Sequence, residues 1–268
     1  MLELRGIREA PLFKKLRSCV GRAVADFGMI QEGDRIAVAV SGGKDSSAML
    51  IVLDELRKRA PVSFEIVAIT IDSGYKGYRR DVIEKFVADL SVRGHIEITN
   101  HYEIISQKRR PGSSYCSICA RLKRGALYGL AERLGCNKLA LGHHSDDFIE
   151  TLLLNQFFVG SLKAMSACML ADNGRVTVIR PLVYAIEEDI SNFSGECNLP
   201  VVCCQCPASG TADLKRRRMK KLLKELEREI PHIKSSMLTA LSNVHPRHLL
   251  DQRLSDPGLS AFVRCSDV

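Results

Sequence analysis

Three short stretches of this chain combine residue types that could do chemistry. Cys116 and Cys119 stand two residues apart in SYCSICARLKR, and Cys203, Cys204 and Cys206 crowd into CCQC. The third, SGGKDS, spans Ser41, Gly42, Gly43, Lys44, Asp45 and Ser46. Thiolates bind soft metals or exchange electrons, so a lone CxxC reads as half a zinc site, a thioredoxin-like redox pair, a disulfide, part of an iron-sulfur site, or chance. A Gly-Gly-Lys turn suits an anion. Glycines let backbone N–H groups approach without a Cβ in the way, and the lysine neutralises charge.

The surrounding sequence says where these groups stand. RIAVAV (35–40) is a short apolar run, SGGKDS follows it, and SSAMLIVLDELRKR then has helical length and polarity. Strand, tight loop and helix in that order place the loop at the ligand-binding end of a doubly wound sheet. Its spacing matches neither the Walker loop nor GxGxxG. Further strands are predicted at FEIVAITID (64–72), HIEIT, NKLALG (137–142), RVTVIRP and LPVVC, with helices between. This alternation predicts an α/β fold with a mostly parallel sheet covered on both faces. PLFKKLRSCVGRAVADF predicts an N-terminal helix burying Leu12, Leu16, Val20, Val24 and Phe27, with Gly28 ending it. From Thr211 the chain reads as helix only, with Leu214, Leu222, Leu226 and Ile230 at helical spacing and Pro231 as the stop. The expected division is an N-terminal helical segment (1–30), a catalytic domain (31–208) and a C-terminal helical extension (209–268).

The strand NKLALG leads into Asp146 and Asp147 at the start of a helix. Carboxylates there favour the positive dipole end without any function. Beside a phosphate loop, the pair is better explained as a Mg²⁺ site. Cys116 and Cys119 fall on the expected first turn of another helix, which lowers thiol pKa, with Arg121, Lys123 and Arg124 behind them. CCQC, at the end of the last predicted strand, faces the same rim as the phosphate loop. Cys19, Cys136, Cys168, Cys197 and Cys265 have no partner at motif spacing and read as small buried hydrophobes.

The whole chain of 268 residues has 46% hydrophobic and 26% charged residues and a formal net charge of +8, ordinary for a soluble protein with a bias toward polyanionic partners. No apolar run reaches membrane-spanning length, and ten cysteines without a secretory leader point to a reducing cytoplasm. Lys108, Arg109 and Arg110 and the run Lys215, Arg216, Arg217, Arg218, Lys220 and Lys221 are the candidate RNA surface.

SGGKDS after an apolar strand, TID with Asp72 at the next strand end, and LGHHSDDFIETLLLN (141–155) resemble the PP-loop ATP pyrophosphatases. The resemblance implies a HUP-like Rossmann variant. It places ATP at Ser41 to Ser46, with Asp72 toward the nucleoside and Gly142 and His143 at the facing strand end. Lys44, Asp146 and Asp147 take the catalytic roles. CSIC, CCQC and ALSNVHPRHLLD extend the likeness, from about residue 10 to 251, to the TtcA family of cluster-dependent tRNA thiolases. That implies a 4Fe-4S cluster on Cys116, Cys119 and Cys206, with ATP and Mg²⁺, and a tRNA cytidine at position 32 as substrate. The sulfur would come from a cysteine desulfurase or sulfide, and a homodimer is left open. Cys204 is an extra cysteine, and Pro207 stands where the family often has Gly, so Cys203 is the second choice for the third ligand. A thiouridine synthase, a ligase of the lysidine type and a nucleotide-binding iron-sulfur regulator are the alternatives.

Overall fold

The structure is a computed structural model that describes residues 4–108, 115–202, 214–251 and 254. The chain divides into two compact units, Met1–Lys221 and Leu222–Val268.

The first unit opens with helices α1 (Leu4–Glu9) and α2 (Pro11–Asp26), Pro11 occupying the first turn of α2. Gly28 then reverses the chain at φ +55°, as expected of the residue that ends this helix. The apolar face is offset from the predicted one: Phe13, Leu16, Val20 and Ala23 are buried, while Phe27 is exposed. Phe13 takes the core position because its ring reaches Phe193, 5.9 Å between centroids.

Alternation follows through β1 (Arg35–Ala39), α3 (Lys44–Arg57), β2 (Glu65–Asp72), α4 (Arg80–Asp89), β3 (Arg93–Ile98), α5 (His101–Lys108), α6 (Tyr115–Arg133) and β4 (Lys138–Ala140). The unit continues with α7 (Ser145–Phe158), β5 (Cys168–Leu170), β6 (Thr177–Ile179) and α8 (Glu187–Glu196), then enters α9 (Leu214–Glu229). The six strands are ordered β3-β2-β1-β4-β6-β5. All neighbours pair parallel except β5, which lies antiparallel on β6. β1 therefore pairs with both β2 and β4, and the order reverses between β1 and β4. The crevice outside their carboxyl ends is the switch point where such sheets bind ligands.

Burial on both faces fixes this sheet. Ala37, Val67, Ile69, Ile71 and Leu139 pack with Leu130, Ala131 and Cys136 at the α6 side. Ile36 and Val38, of opposite parity, are also fully buried. α3 is buried almost throughout, from Ser46 to Glu55, between the sheet and helices α2 and α8.

One expected strand fails here and one strand is unforeseen. LPVVC is no strand in its described part: Val202 instead donates its N–H to Gly42 O at 2.8 Å, off the sheet. The sixth strand is β5, three residues long and at an edge, too short to give a periodic signal.

The second unit holds the remainder of α9, α10 (Ile233–Ala240) and a short 3₁₀ turn, Pro246–His248. Among the described residues α9 and α10 are helical as expected, but after Ala240 only 3₁₀ turns interrupt non-helical chain, and the buried stripe of α9 runs through Met219 and Leu223, whereas Leu214 and Ile230 are exposed. No helix among the described residues is long and apolar enough to cross a membrane.

Candidate functional site

The phosphate loop closes on itself between β1 and α3. Ser41 N–H donates to Ser46 Oγ at 3.1 Å, Ser46 Oγ donates to Gly43 O at 2.9 Å, and Gly43 N–H reaches Ser41 Oγ at 3.3 Å. Gly42 sits at φ +83°, and a Cβ there would meet Val202 Cβ at 2.9 Å. Both conformation and space demand glycine. Gly42→Ala is expected to destabilise the protein by about 2 kcal/mol through left-handed strain and overpacking, read as a lowered midpoint in urea. Gly142, at the end of β4, matters for approach: a Cβ would lie 3.2 Å from Ser46 N and 3.3 Å from Ser46 Cα, backbone that opens α3. Its bareness lets the end of β4 close up on the start of α3.

α7 begins beside this loop. Ser145 donates both its N–H and its hydroxyl to Ala185 O, at 2.9 and 2.8 Å. Asp146 is buried, and its Oδ2 accepts the Glu187 N–H at 2.8 Å. Asp147 Oδ2 accepts the His144 N–H at 3.1 Å, capping the helix. The His144 ring is buried with Nδ1 3.8 Å from Asp146 Oδ2, and that nitrogen has no hydrogen-bond partner among the described residues.

His143 accepts a hydrogen bond at Nδ1 from Arg180 Nε, 3.2 Å away. Burial, then the neighbouring Arg180 charge, push it down to about 4, so the ring is neutral at physiological pH. Its folded value lies below the unfolded one near 6.5. Stability is therefore indifferent to this group above pH 6.5 and falls as pH drops from there toward 4, by up to about 3 kcal/mol. His143→Gln is expected to flatten that part of the profile, measured as urea midpoints at pH 7.5 and 5.0.

Charges converge here from elements far apart in sequence. Lys44 Nζ lies 2.7 Å from Asp45 Oδ1 and 3.5 Å from Glu187 Oε1. Burial alone would lower the Lys44 amine, but Asp45 and Glu187 outweigh it and hold it above its ordinary value. Lys220 Nζ lies 2.5 Å from Glu187 Oε2. Arg216 forks between two acids, Nη2 to Asp147 Oδ1 at 2.8 Å and Nε to Glu150 Oε2 at 2.7 Å. Two members of the predicted RNA run thus face this site instead. Lys215, Arg217, Arg218 and Lys221 are exposed.

Asp72 ends β2, buried, with Oδ1 accepting the Gly74 N–H at 2.9 Å. The loop it starts touches two places at once: Tyr78 donates its hydroxyl to Ser41 O at 3.3 Å, and Tyr75 Oη is 3.6 Å from Cys119 Sγ and 3.0 Å from Tyr115 Oη. Cys116 and Cys119 are the second and fifth residues of α6, at its N-terminal end as expected; the Cys116 side chain and Cys203, Cys204 and Cys206 lie outside what is described. Lys108's side chain, Arg109 and Arg110 are outside it as well. Val202 fixes the chain immediately before Cys203 against Gly42. Among the unpartnered cysteines Cys136 is buried, while Cys19, Cys168 and Cys197 are only half-buried; Cys265 is not described.

Sequence reasoning missed Glu187, Glu150, Arg180, Tyr75 and Tyr78. Glu187 sits in an acidic first turn of α8 that reads as ordinary dipole compensation. Nothing in its spacing ties it to Lys44, 143 residues away.

Residues 14–203 match the PP-loop domain family. The tRNA-cytidine(32) 2-sulfurtransferase of Pelobacter propionicus is 74% identical over 92% of this chain and 92% of its own length. That of Geobacter sulfurreducens is 67% identical, covering 91% and 96%. Among solved structures, the U34-tRNA thiolase NcsA from Methanococcus maripaludis with its 4Fe-4S cluster aligns at TM-score 0.72 and 23% identity, covering 88% of this chain and 80% of that one, a likeness of fold. A loop built for phosphate at the switch point and a half-buried cysteine turn bridged to it agree with these relatives, and the chain belongs to the PP-loop family, among the tRNA-cytidine(32) 2-sulfurtransferases.

Proposed function

We propose that this protein is an enzyme that transfers sulfur to C2 of a tRNA cytidine, at position 32, using ATP. One observation carries the reading beyond kinship: the loop after β2 touches Ser41 through Tyr78 and Cys119 through Tyr75. Activation and sulfur delivery need sites within one pocket, and this loop joins them.

ATP is held at Ser41 to Ser46 by backbone N–H groups and the α3 N-terminus, with Asp72 toward the nucleoside and Gly142 and His143 on the opposite strand end. The cytidine O2 attacks the α-phosphorus, pyrophosphate leaves, and Lys44 stabilises the charge that develops on the phosphates. Sulfur then adds at C2, and AMP departs with the former O2. The base must leave its stack to reach the pocket, as a loop nucleotide can. Asp146 and Asp147 would hold Mg²⁺, an ion commonly bound by one or two carboxylates together with phosphate and water. The orphaned His144 Nδ1 beside them is placed to bond such a water. Cys116, Cys119 and Cys206 would hold the 4Fe-4S cluster. Their soft donor set fits it, and the cluster supplies when bound an iron with no protein ligand that can carry the sulfur. Free sulfide is the source, or the persulfide of a cysteine desulfurase after two-electron reduction to the sulfide level by a thiol.

The test is anaerobic purification with assay of iron, sulfide and zinc, then mass spectrometry of tRNA nucleosides after incubation with ATP and sulfide. 2-Thiocytidine is expected. Stoichiometric zinc without iron sinks the cluster, and thiouridine in place of thiocytidine sinks the substrate. For RNA, the exposed Arg217 and Arg218 are the residues to neutralise. The double alanine variant is expected to weaken tRNA binding across sequences and to lower the salt-dependence slope by about 2. An unchanged slope removes this face from the interface.

A further inference from the structure

The inward face of α9 carries a group that the phosphate loop itself lacks. Lys220 and the loop lysine, Lys44, bind opposite oxygens of one carboxylate, that of Glu187. Glu187 is tied to the site in turn, since its N–H donates to Asp146 Oδ2. One turn before Lys220 on the same face, Arg216 grips Asp147 and Glu150 in a two-pronged fork. The fork ties α9 to α7, and Lys220 meets the loop lysine across the Glu187 carboxylate.

Glu187 occupies both amines that a phosphate ligand of this loop would use. Asp45, Asp146, Asp147, Glu150 and Glu187 face Lys44, Arg216 and Lys220. With Asp146 and Asp147 assigned to Mg²⁺ and Arg216 on Asp147 and Glu150, Glu187 is the carboxylate that stands between the two amines and an incoming triphosphate, in a partly buried site where Coulomb terms are several-fold stronger than in water. A carboxylate and a phosphate, however, present amines with the same kind of acceptor oxygens. Glu187 holds two ammonium groups as a diphosphate would.

We propose that Lys220 is a phosphate-binding residue of the ATP site, exchanging Glu187 for the β,γ-phosphates, with Arg216 as the residue that positions it. This rests on the ATP reading of the phosphate loop. The test is calorimetric binding of magnesium pyrophosphate, ATP and AMP to the full-length protein and its Lys220→Met, Lys220→Arg and Glu187→Gln variants. Lys220→Met is expected to weaken pyrophosphate and ATP roughly 10- to 100-fold, the range for a hydrogen bond to a charged group, with AMP within twofold. Lys220→Arg recovers most of the loss, and Glu187→Gln tightens pyrophosphate by removing its competitor. Equal loss of AMP and pyrophosphate in Lys220→Met, or no loss of either, overturns the assignment. Wild-type protein that binds neither ATP nor pyrophosphate overturns the nucleotide reading itself.

Discussion

Lys44→Met is expected to lower ATP-dependent thiolation of tRNA by about 10²- to 10³-fold, the usual effect of deleting one preorganised charge at a transition state. Lys44 is the loop's own cation, the first residue of α3, and its amine lies 2.7 Å from Asp45 and 3.5 Å from Glu187. Methionine keeps the length and apolar stem of lysine and removes only the charge. The fold should tolerate this, because Glu187 retains Lys220 and the loop's serine hydrogen bonds do not involve the lysine. The expected pattern is an unchanged urea midpoint, within about 1 kcal/mol, beside a large loss in single-turnover rate at saturating ATP. Saturation separates charge stabilisation during the step from binding alone, since uniform binding would be restored by excess ATP. A rate within tenfold of wild type would remove Lys44 from the chemistry.

The part of this site that lies within one sequence window was readable, and the part assembled across windows was not. SGGKDS announces its own loop because glycine, lysine and serine are needed consecutively, and the flanking strand and helix have clear periods. Asp146 and Asp147 were readable for the same reason. The partners that set their electrostatics come from α8 and α9: Glu187 to Lys44, Arg216 to Asp147 and Glu150, Lys220 to Glu187. Each of these looks locally like a helix-end or solvent-face charge, and only the topology brings them together. The strands show the same divide. β1 and β2 are apolar runs buried on both faces, whereas β5 has three residues on an edge and LPVVC spends backbone N–H groups at Leu199 and Val202 on Ser194 and Gly42. An apolar run with β-branched residues reads as strand, but it does not reveal which partner its amides will find. The α2 face was offset for a related reason, since Phe13 and Phe27 are both good core residues and only the position of Phe193 decides between them.

Cys119→Ser is expected to abolish thiocytidine formation and reduce bound iron, with ATP binding retained within about twofold. The substitution is nearly isosteric, and a serine hydroxyl can still take a hydrogen bond from Tyr75, so the loop after β2 keeps its anchor. What it removes is a thiolate, the donor that an iron-sulfur cluster requires. ATP binding should survive because the phosphate loop's link to this region runs through Tyr78 to Ser41, not through the cysteine. Cys136→Ser is the matching control. Cys136 is 4% exposed, packed among Leu130, Ala131 and Leu139, and burial pushes its thiol pKa up, as for an inert core sulfur. A hydroxyl there is expected to cost about 1 to 3 kcal/mol of stability with iron content unchanged. Iron and sulfide per chain, the visible absorbance of the cluster and calorimetric ATP binding distinguish the two variants. Full iron in Cys119→Ser would take this residue out of the ligand set. Loss of ATP affinity in step with iron would show that the two sites are not separable in the way the Tyr75 and Tyr78 contacts require.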